Sequence, residues 1–156
     1  DVIIKNNVHI KAFSHLEGVK ILDNAIIGPF ARLRPGTVIG PNSHIGNFVE
    51  IKKSNIKKNS KINHLSYLGD SKVGENVNVG AGVITCNYDG IKKNKTIIND
   101  NVFVGSNVSL VAPIKLGKSS IVGAGSVITQ SVKEKALAVE RNLQKTFPNY
   151  RKNRKK

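Results

Sequence analysis

Aliphatic residues recur at every sixth position along most of this chain. The column reads Ile4, Ile10, Leu16, Ile21, Ile27, Leu33, Ile39, Ile45, Ile51, Ile56, Ile62, Leu68, Val73, Val79, Thr85, Ile98, Val104, Leu110, Leu116, Val122 and Ile128, and only Thr85 is not aliphatic. Two residues ahead of each stands a second column, running from Val2, Val8 and Ser14 to Ser120 and Ser126, drawn wholly from Val, Ser, Ala, Thr and Ile. Alternate residues of a strand face one side, so each hexad offers two modest inward side chains and then turns. Three such strands close a triangular coil, and coils stacked at roughly 4.8 Å bury one continuous apolar prism, a parallel β-helix. A β-sandwich would need irregular spacing and hairpin turns, against the even period. The expected fold is all-β, with about seven triangular coils over residues 1–131, a single domain by length.

The period shortens by one residue between Leu16 and Ile21, between Ile51 and Ile56 and between Leu68 and Val73, and again within the larger interruption from Thr85 to Ile98. That interruption, residues 86–97, inserts an extra hexad-length segment, which must leave the prism as a protruding loop. Asn87, Tyr88 and Lys93 are then free to reach over a site on this subunit or a neighbour. Past Ile128 the hexads stop. Residues 132–148 read as a C-terminal helix or arm capping the last coil, and residues 149–156 as a disordered basic tail.

With 5% aromatics and neither Trp nor Met, the core must be filled by small aliphatics, as a narrow prism requires. The repeat is already in phase at Val2, which suggests that something precedes Asp1. No apolar run approaches the roughly 20 residues of a membrane span, and no charged-then-apolar leader opens the chain; the expectation is a cytoplasmic protein that binds no membrane. Cys86 is alone, so there is no disulfide framework, and a small buried thiol is preferred to a nucleophile. A formal charge of +15, with five of the last six residues Lys or Arg, describes an anion-attracting surface. Nucleic acid is disfavoured because aromatics for stacking are scarce and no groove-reading motif appears. Small phosphorylated ligands fit better.

Grouping the hexads by threes lets neighbours be computed. Arg34 and Lys52 follow Leu33 and Ile51, face outward, and fall one coil apart, so they form a cation pair suited to a phosphate. Tyr67 precedes Leu68, with Glu50 in the same place one coil earlier. On the adjoining face a second column runs Pro29, Asn47, His64, Ala81, Ser106, Ala124. It places His64 at the head of a trench floored by small residues, roughly 14 Å long to Ala124 at three coil steps.

The runs G-P-F-A-R-L-R-P-G (28–36), G-N-F-V-E-I-K-K (46–53), H-L-S-Y-L-G-D (64–70), N-V-N-V-G-A-G-V-I-T-C-N-Y-D-G (76–90) and V-F-V-G-S (102–106) closely resemble one bacterial family. It is the C-terminal acetyltransferase domain of the bifunctional N-acetylglucosamine-1-phosphate uridyltransferase / glucosamine-1-phosphate acetyltransferase. The resemblance covers roughly residues 1–141. It implies a left-handed winding, although ordinary parallel crossovers are right-handed, and a homotrimer with active sites between subunits. It also implies acetyl transfer from acetyl-CoA, as co-substrate, to the amine of glucosamine 1-phosphate. By the same resemblance His64 is the general base; Arg34, Lys52, Tyr67, Asn78 and Lys93 hold the sugar phosphate; and Ala81, Asn87, Tyr88, Ser106, Ala124 and Arg141 contact acetyl-CoA. Around Arg141 the sequence departs from the Arg-Val-Pro-Gln type of arm expected there. No metal is implied for this domain; Mg2+ belongs to the family's N-terminal uridyltransferase domain, which this chain does not contain.

The chemistry requires such parts. A protonated amine cannot attack a thioester, so a base must take a proton, and His has a pKa near the working pH. The oxygen that gains charge needs a donor, for which the backbone N–H of Ala81 is the candidate. Two other classes fit less well. A zinc enzyme of this architecture would need three converging histidines, and His9, His15, His44 and His64 do not share a column. A purely structural β-helix would not need the Arg34, Lys52 and His64 cluster. The nearest alternative is an acyltransferase with another amino acceptor.

Overall fold

The computed structural model describes residues 1–148 and 150. The tail expected over 149–156 lies outside the described residues, Tyr150 excepted. Twenty-two short strands wind into three parallel sheets, so the chain is a parallel β-solenoid of about eight turns. No helix occurs among the described residues, and the architecture is consistent with a left-handed β-helix of hexapeptide repeats. Sheet A begins with β1 (Ile3–Ile4) and β4 (Val19–Ile21), sheet B with β2 (His9–Ile10) and β5 (Ile26–Ile27), and sheet C with β3 (His15–Leu16) and β6 (Arg32–Leu33). From β4 through β21 (Val127–Ile128) each strand stacks in register on the one three before it; for instance, Ile10 pairs with Ile27, and Leu16 with Leu33.

Both counted columns point inward. From Ile21 to Ile128 every residue of the six-fold column is buried, as is every member of the companion column from Val19 to Ser126. Several core serines donate their hydroxyls to backbone carbonyls, as Ser43 does to Lys57 at 2.9 Å and Ser60 to Gly74 at 2.7 Å, and a buried polar group with a partner carries little penalty; the buried Ser120 hydroxyl has none among the described residues. At the first coil the prism is open, and Ile4 is 47% exposed.

Corners decide which residues face outward together. Most corners turn on a left-handed residue, a conformation that Asn and Asp tolerate better than bulky side chains. The corner between sheets A and B is an asparagine ladder, with positive φ at Asn24, Asn42, Asn59, Asn76 and Asn101, and Asn59 donates to Asn76 at 3.0 Å. The corner between B and C instead carries Phe13, Phe30, Phe48 and Leu65 at positive φ, all exposed, with stacked rings 5.0 and 5.4 Å apart. The corner between C and A holds the short hexads, turning at Gly18, Lys53 and Asp70.

The C-terminal helix expected within 132–148 is not present. Val132 bridges to Leu116, and β22 (Leu137–Ala138) pairs with β20 (Ile121–Val122), starting an eighth turn. The open edge of the seventh coil presents unpaired backbone groups, and a strand can satisfy them where a helix cannot. Gly117 N–H donates to Val132 C=O at 2.8 Å, and Val132 N–H to Lys115 C=O at 2.9 Å. Val132 and Ala138 are six residues apart and pack on the core, the spacing signal that the loss of a strong aliphatic pattern hid.

Candidate active site

The corner between sheets B and C carries the second column. His64 ends β11 (Lys61–His64) and lies level with Asn47, which ends β8 (His44–Asn47). Further along, Gly82 N–H donates to His64 C=O, Asn107 N–H to Ala81 C=O and Gly125 N–H to Ser106 C=O. These bonds confirm that His64, Ala81, Ser106 and Ala124 sit on successive coils at one corner. The His64 ring is exposed, with its Nδ1 3.3 Å from Asn47 Oδ1. A carbonyl oxygen can only accept, so Nδ1–H is the donor in this contact, and in the neutral ring the lone pair then falls on Nε2. The Ala81 N–H meets no protein acceptor among the described residues, so it is free to donate outward.

Behind His64 a hollow of about 330 Å³ is lined by Lys11, Pro29, His44, Asn47, Asn63 and His64, among others. Burial, and then the charges of Lys11, Lys61 and His64, hold the His44 imidazole below its usual range. A larger hollow of about 390 Å³ on sheet A includes Lys57, Lys72 and Asp100. There Asp100 Oδ1 accepts from the Glu75 N–H at 2.8 Å, and no histidine lines that hollow.

Sheet C supplies the cations, but not as a bare pair. Arg34 Nη1 meets Glu50 Oε1 at 2.9 Å, and Arg32 lies 3.6 Å from the other oxygen. Lys52, at the end of β9 (Glu50–Lys52), lies 3.5 Å from Asp70 Oδ2. Arg34 and Lys52 are therefore each paired with a carboxylate, Glu50 being shared with Arg32, and the pairing shortens their reach and fixes their direction. Tyr67, in β12 (Tyr67–Gly69), pairs with Glu50 in register, and Gly69 pairs with Lys52. A Cβ at Gly69 would fall 2.5 Å from both Asn87 Nδ2 and Tyr67 Oη, so Lys52, Tyr67 and Asn87 converge over a glycine that leaves them room.

The loop is a structured protrusion. It follows β15 (Ile84–Cys86) and closes at β16 (Thr96–Ile98). Asp89 organises it: its carboxylate accepts from the N–H groups of Ile91 and Lys92 and from Asn94 Nδ2. Those bonds, the Lys92 N–H first, pull the Asp89 pKa down to about 2. Lys93 Nζ sits 3.8 Å above the Tyr88 ring, and Tyr88 Oη donates to Gly90 C=O at 2.6 Å. Asn87 is buried at the loop base and donates to Asp70. Cys86 is half-buried and free.

Of the other expected residues, Arg141 joins the corner, where its Nη1 donates to Ala124 C=O at 2.7 Å. Asn78, in β14 (Asn78–Val79), lies between Lys61 and Phe103 on sheet B, a different face from Tyr67 and Lys52. Lys93 is held at the loop by Tyr88, apart from the Arg34 and Lys52 contacts. Counting hexads missed Asp70 and the orienting role of Asn47, although G-D after Tyr67 and the stacked Asn47 were both available. Among the described residues no group of three or more His, Cys, Asp or Glu could hold a metal ion, and no helix is long and apolar enough to cross a membrane.

A three-sheet solenoid with His64 and an unbonded backbone donor at one corner, and the Arg34 and Lys52 cations on the adjoining sheet, defines a hexapeptide-repeat protein. The chain belongs to the family described as the GMPPB C-terminal domain, which matches residues 15–112; the hexapeptide repeat of succinyl-transferase matches residues 95–130. It is 59% identical over 144 residues to the Bifunctional protein GlmU of Cellvibrio japonicus, covering 92% of this chain and 32% of that one. It thus spans about a third of the length of the curated relatives it matches. Two solved structures share the fold. One is a mutant of AntD, an N-acyltransferase from Bacillus cereus in complex with dTDP-4-amino-4,6-dideoxyglucose and coenzyme A (TM-score 0.67, 20% identity, 92% of this chain and 81% of that one). The other is PerB from Caulobacter crescentus in complex with CoA and GDP-perosamine (TM-score 0.67, 21% identity, 74% and 53%).

Proposed function

We propose that this chain transfers an acetyl group from acetyl-CoA to the amine of glucosamine 1-phosphate, giving N-acetylglucosamine 1-phosphate. The observation that carries the reading is His64, whose Nδ1 meets Asn47 while its Nε2 has no hydrogen-bond partner among the described residues, one coil from the Ala81 N–H, which has none among them either. His64 takes the proton from the attacking amine as the C–N bond forms, the Ala81 N–H donates to the oxygen that gains charge, and the C–S bond then breaks, the CoA thiolate leaving with the proton returned by His64. Arg34, Lys52 and Tyr67 hold the phosphate end, with Asn78 and Lys93 completing the acceptor site from adjoining elements. Ala81, Asn87, Tyr88, Ser106, Ala124 and Arg141 receive acetyl-CoA, as co-substrate, along the corner. Most of the acceleration comes from holding both reactants within reach.

The separation of Lys93 and Asn78 from the Arg34 and Lys52 contacts favours a homotrimer in which neighbouring subunits complete each site. In the longer relatives the remaining two thirds would carry the uridylyl transfer that uses Mg2+, and the whole protein would serve UDP-N-acetylglucosamine synthesis in the cytoplasm. The test is thiol release from acetyl-CoA by the purified chain, with glucosamine 1-phosphate, glucosamine 6-phosphate and serine as competing acceptors. Release selective for glucosamine 1-phosphate is expected; acetyl-CoA binding without turnover on that sugar would replace the acceptor and keep the class. His64→Ala should lower kcat by about 100-fold or more while acetyl-CoA binding stays nearly intact, and full activity would reject His64 as the base. Lys52→Ala should raise the KM for the sugar phosphate far more than that for acetyl-CoA.

A further inference from the structure

Asp70 enters none of the roles above, yet it stands where they meet. It occupies the corner between sheets C and A with φ 50°, the place held by Gly18 and Gly36 in earlier coils. From there a single oxygen, Oδ2, takes both Lys52 Nζ at 3.5 Å and the side-chain amide of Asn87. All three groups are withdrawn from solvent: the side chains of Lys52 and Asp70 are 16% and 15% exposed, and Asn87 is buried. Asn87 in turn anchors the loop, because its C=O accepts from Asn94 N–H at 2.7 Å and its own N–H donates to Thr85 C=O at 2.9 Å.

We propose that Asp70 is a positioning residue that holds Lys52, on the sugar-phosphate side, and the base of the 87–95 loop, on the acetyl-CoA side, in one arrangement. The assignment of the two sides rests on the acetyltransferase reading. Two effects compete at Lys52. Asp70 repels an incoming phosphate, but without it a nearly buried ammonium has no counter-charge, and its flexible stem lets it leave for water. With so little exposure the second effect dominates, and the carboxylate keeps the cation where the phosphate needs it.

Two substitutions separate the two contacts without straining the corner, since both Asn and Gly accept a left-handed backbone. Asp70→Asn keeps a carbonyl oxygen for Asn87 but removes the charge facing Lys52. Asp70→Gly removes both. Initial rates should show Asp70→Asn raising the KM for glucosamine 1-phosphate about tenfold, which is about 1.4 kcal/mol. Acetyl-CoA affinity by calorimetry should stay within about twofold in Asp70→Asn and weaken further in Asp70→Gly, because contacting residues couple while independent ones add. In a Lys52→Ala background, Asp70→Asn should change the sugar KM by less than about twofold.

A lowered sugar KM in Asp70→Asn would show repulsion winning and overturn the proposal. So would an undiminished effect in the Lys52→Ala background, or a fall in kcat with both affinities unchanged, the mark of a merely structural role. If the unsubstituted chain does not acetylate glucosamine 1-phosphate, the acceptor reading fails. The loop half is still decided by calorimetry: weaker acetyl-CoA binding by Asp70→Gly than by Asp70→Asn supports it, and equal binding overturns it.

Discussion

At the residue scale, two histidines share one hollow and meet different surroundings. His64 is exposed, and its orientation comes from a single hydrogen bond to Asn47, whereas burial and the neighbouring Lys11 and Lys61 hold His44 below its usual pKa. A histidine with a depressed pKa binds fewer protons folded than unfolded, so stability rises with pH in the window just below the unfolded value of 6.5 and is lost on acidification through it. His44→Gln should therefore flatten the dependence of unfolding midpoint on pH between about 5 and 7, measured by denaturant titration, while leaving the dependence outside that window unchanged. An unaltered pH slope would mean that His44 titrates normally. Sequence counting placed His64, Ala81, Ser106 and Ala124 on one column because a strict period carries positions forward from coil to coil. It could not supply Asp70 as the partner of Lys52, because that contact links a corner to a strand end and depends on a left-handed backbone that no period encodes.

At the element scale, the outcome differed between segments with and without a strong aliphatic pattern. The loop at 86–97 was legible as an interruption, but its order was not, since that order comes from one carboxylate collecting three donors. The terminal segment reads as a helix or arm because Val132 and Ala138 are too few to show a period; the open edge of the coil beneath them decides for a strand. Asp89 offers a direct check on the loop. Its pKa is pulled down to about 2 from 3.8, so its support for the loop is complete above the unfolded value and is lost as pH falls through the folded one. Asp89→Ala should speed amide hydrogen exchange at Ile91 and Lys92 near neutral pH, with exchange in the prism strands unchanged. It should also weaken acetyl-CoA binding by about threefold to tenfold through the displaced Tyr88 and Asn87. Exchange at those two amides equal to that of the unsubstituted chain would show that the rest of the loop orders itself.

At the scale of the whole molecule, a solenoid divides its labour by direction. Each coil contacts only its neighbours along the axis, so stability accumulates lengthwise through the buried columns, while chemistry is left to corners and to whatever approaches them from the side. The exposed ladder of Phe13, Phe30, Phe48 and Leu65 stands on the same corner as His64, and the loop bearing Lys93 projects from a different coil. If three copies pack around these edges, His64 and Lys93 of one working site come from different chains. Mixing then has a definite arithmetic. His64→Ala and Lys93→Ala preparations, each impaired alone, should regain activity when unfolded together and refolded at equal concentration. A random trimer then pairs an intact histidine with an intact neighbouring lysine at about a quarter of its sites. Activity from the mixture that merely equals the average of the separate preparations would place Lys93 in the site of its own chain and remove the argument for a shared one.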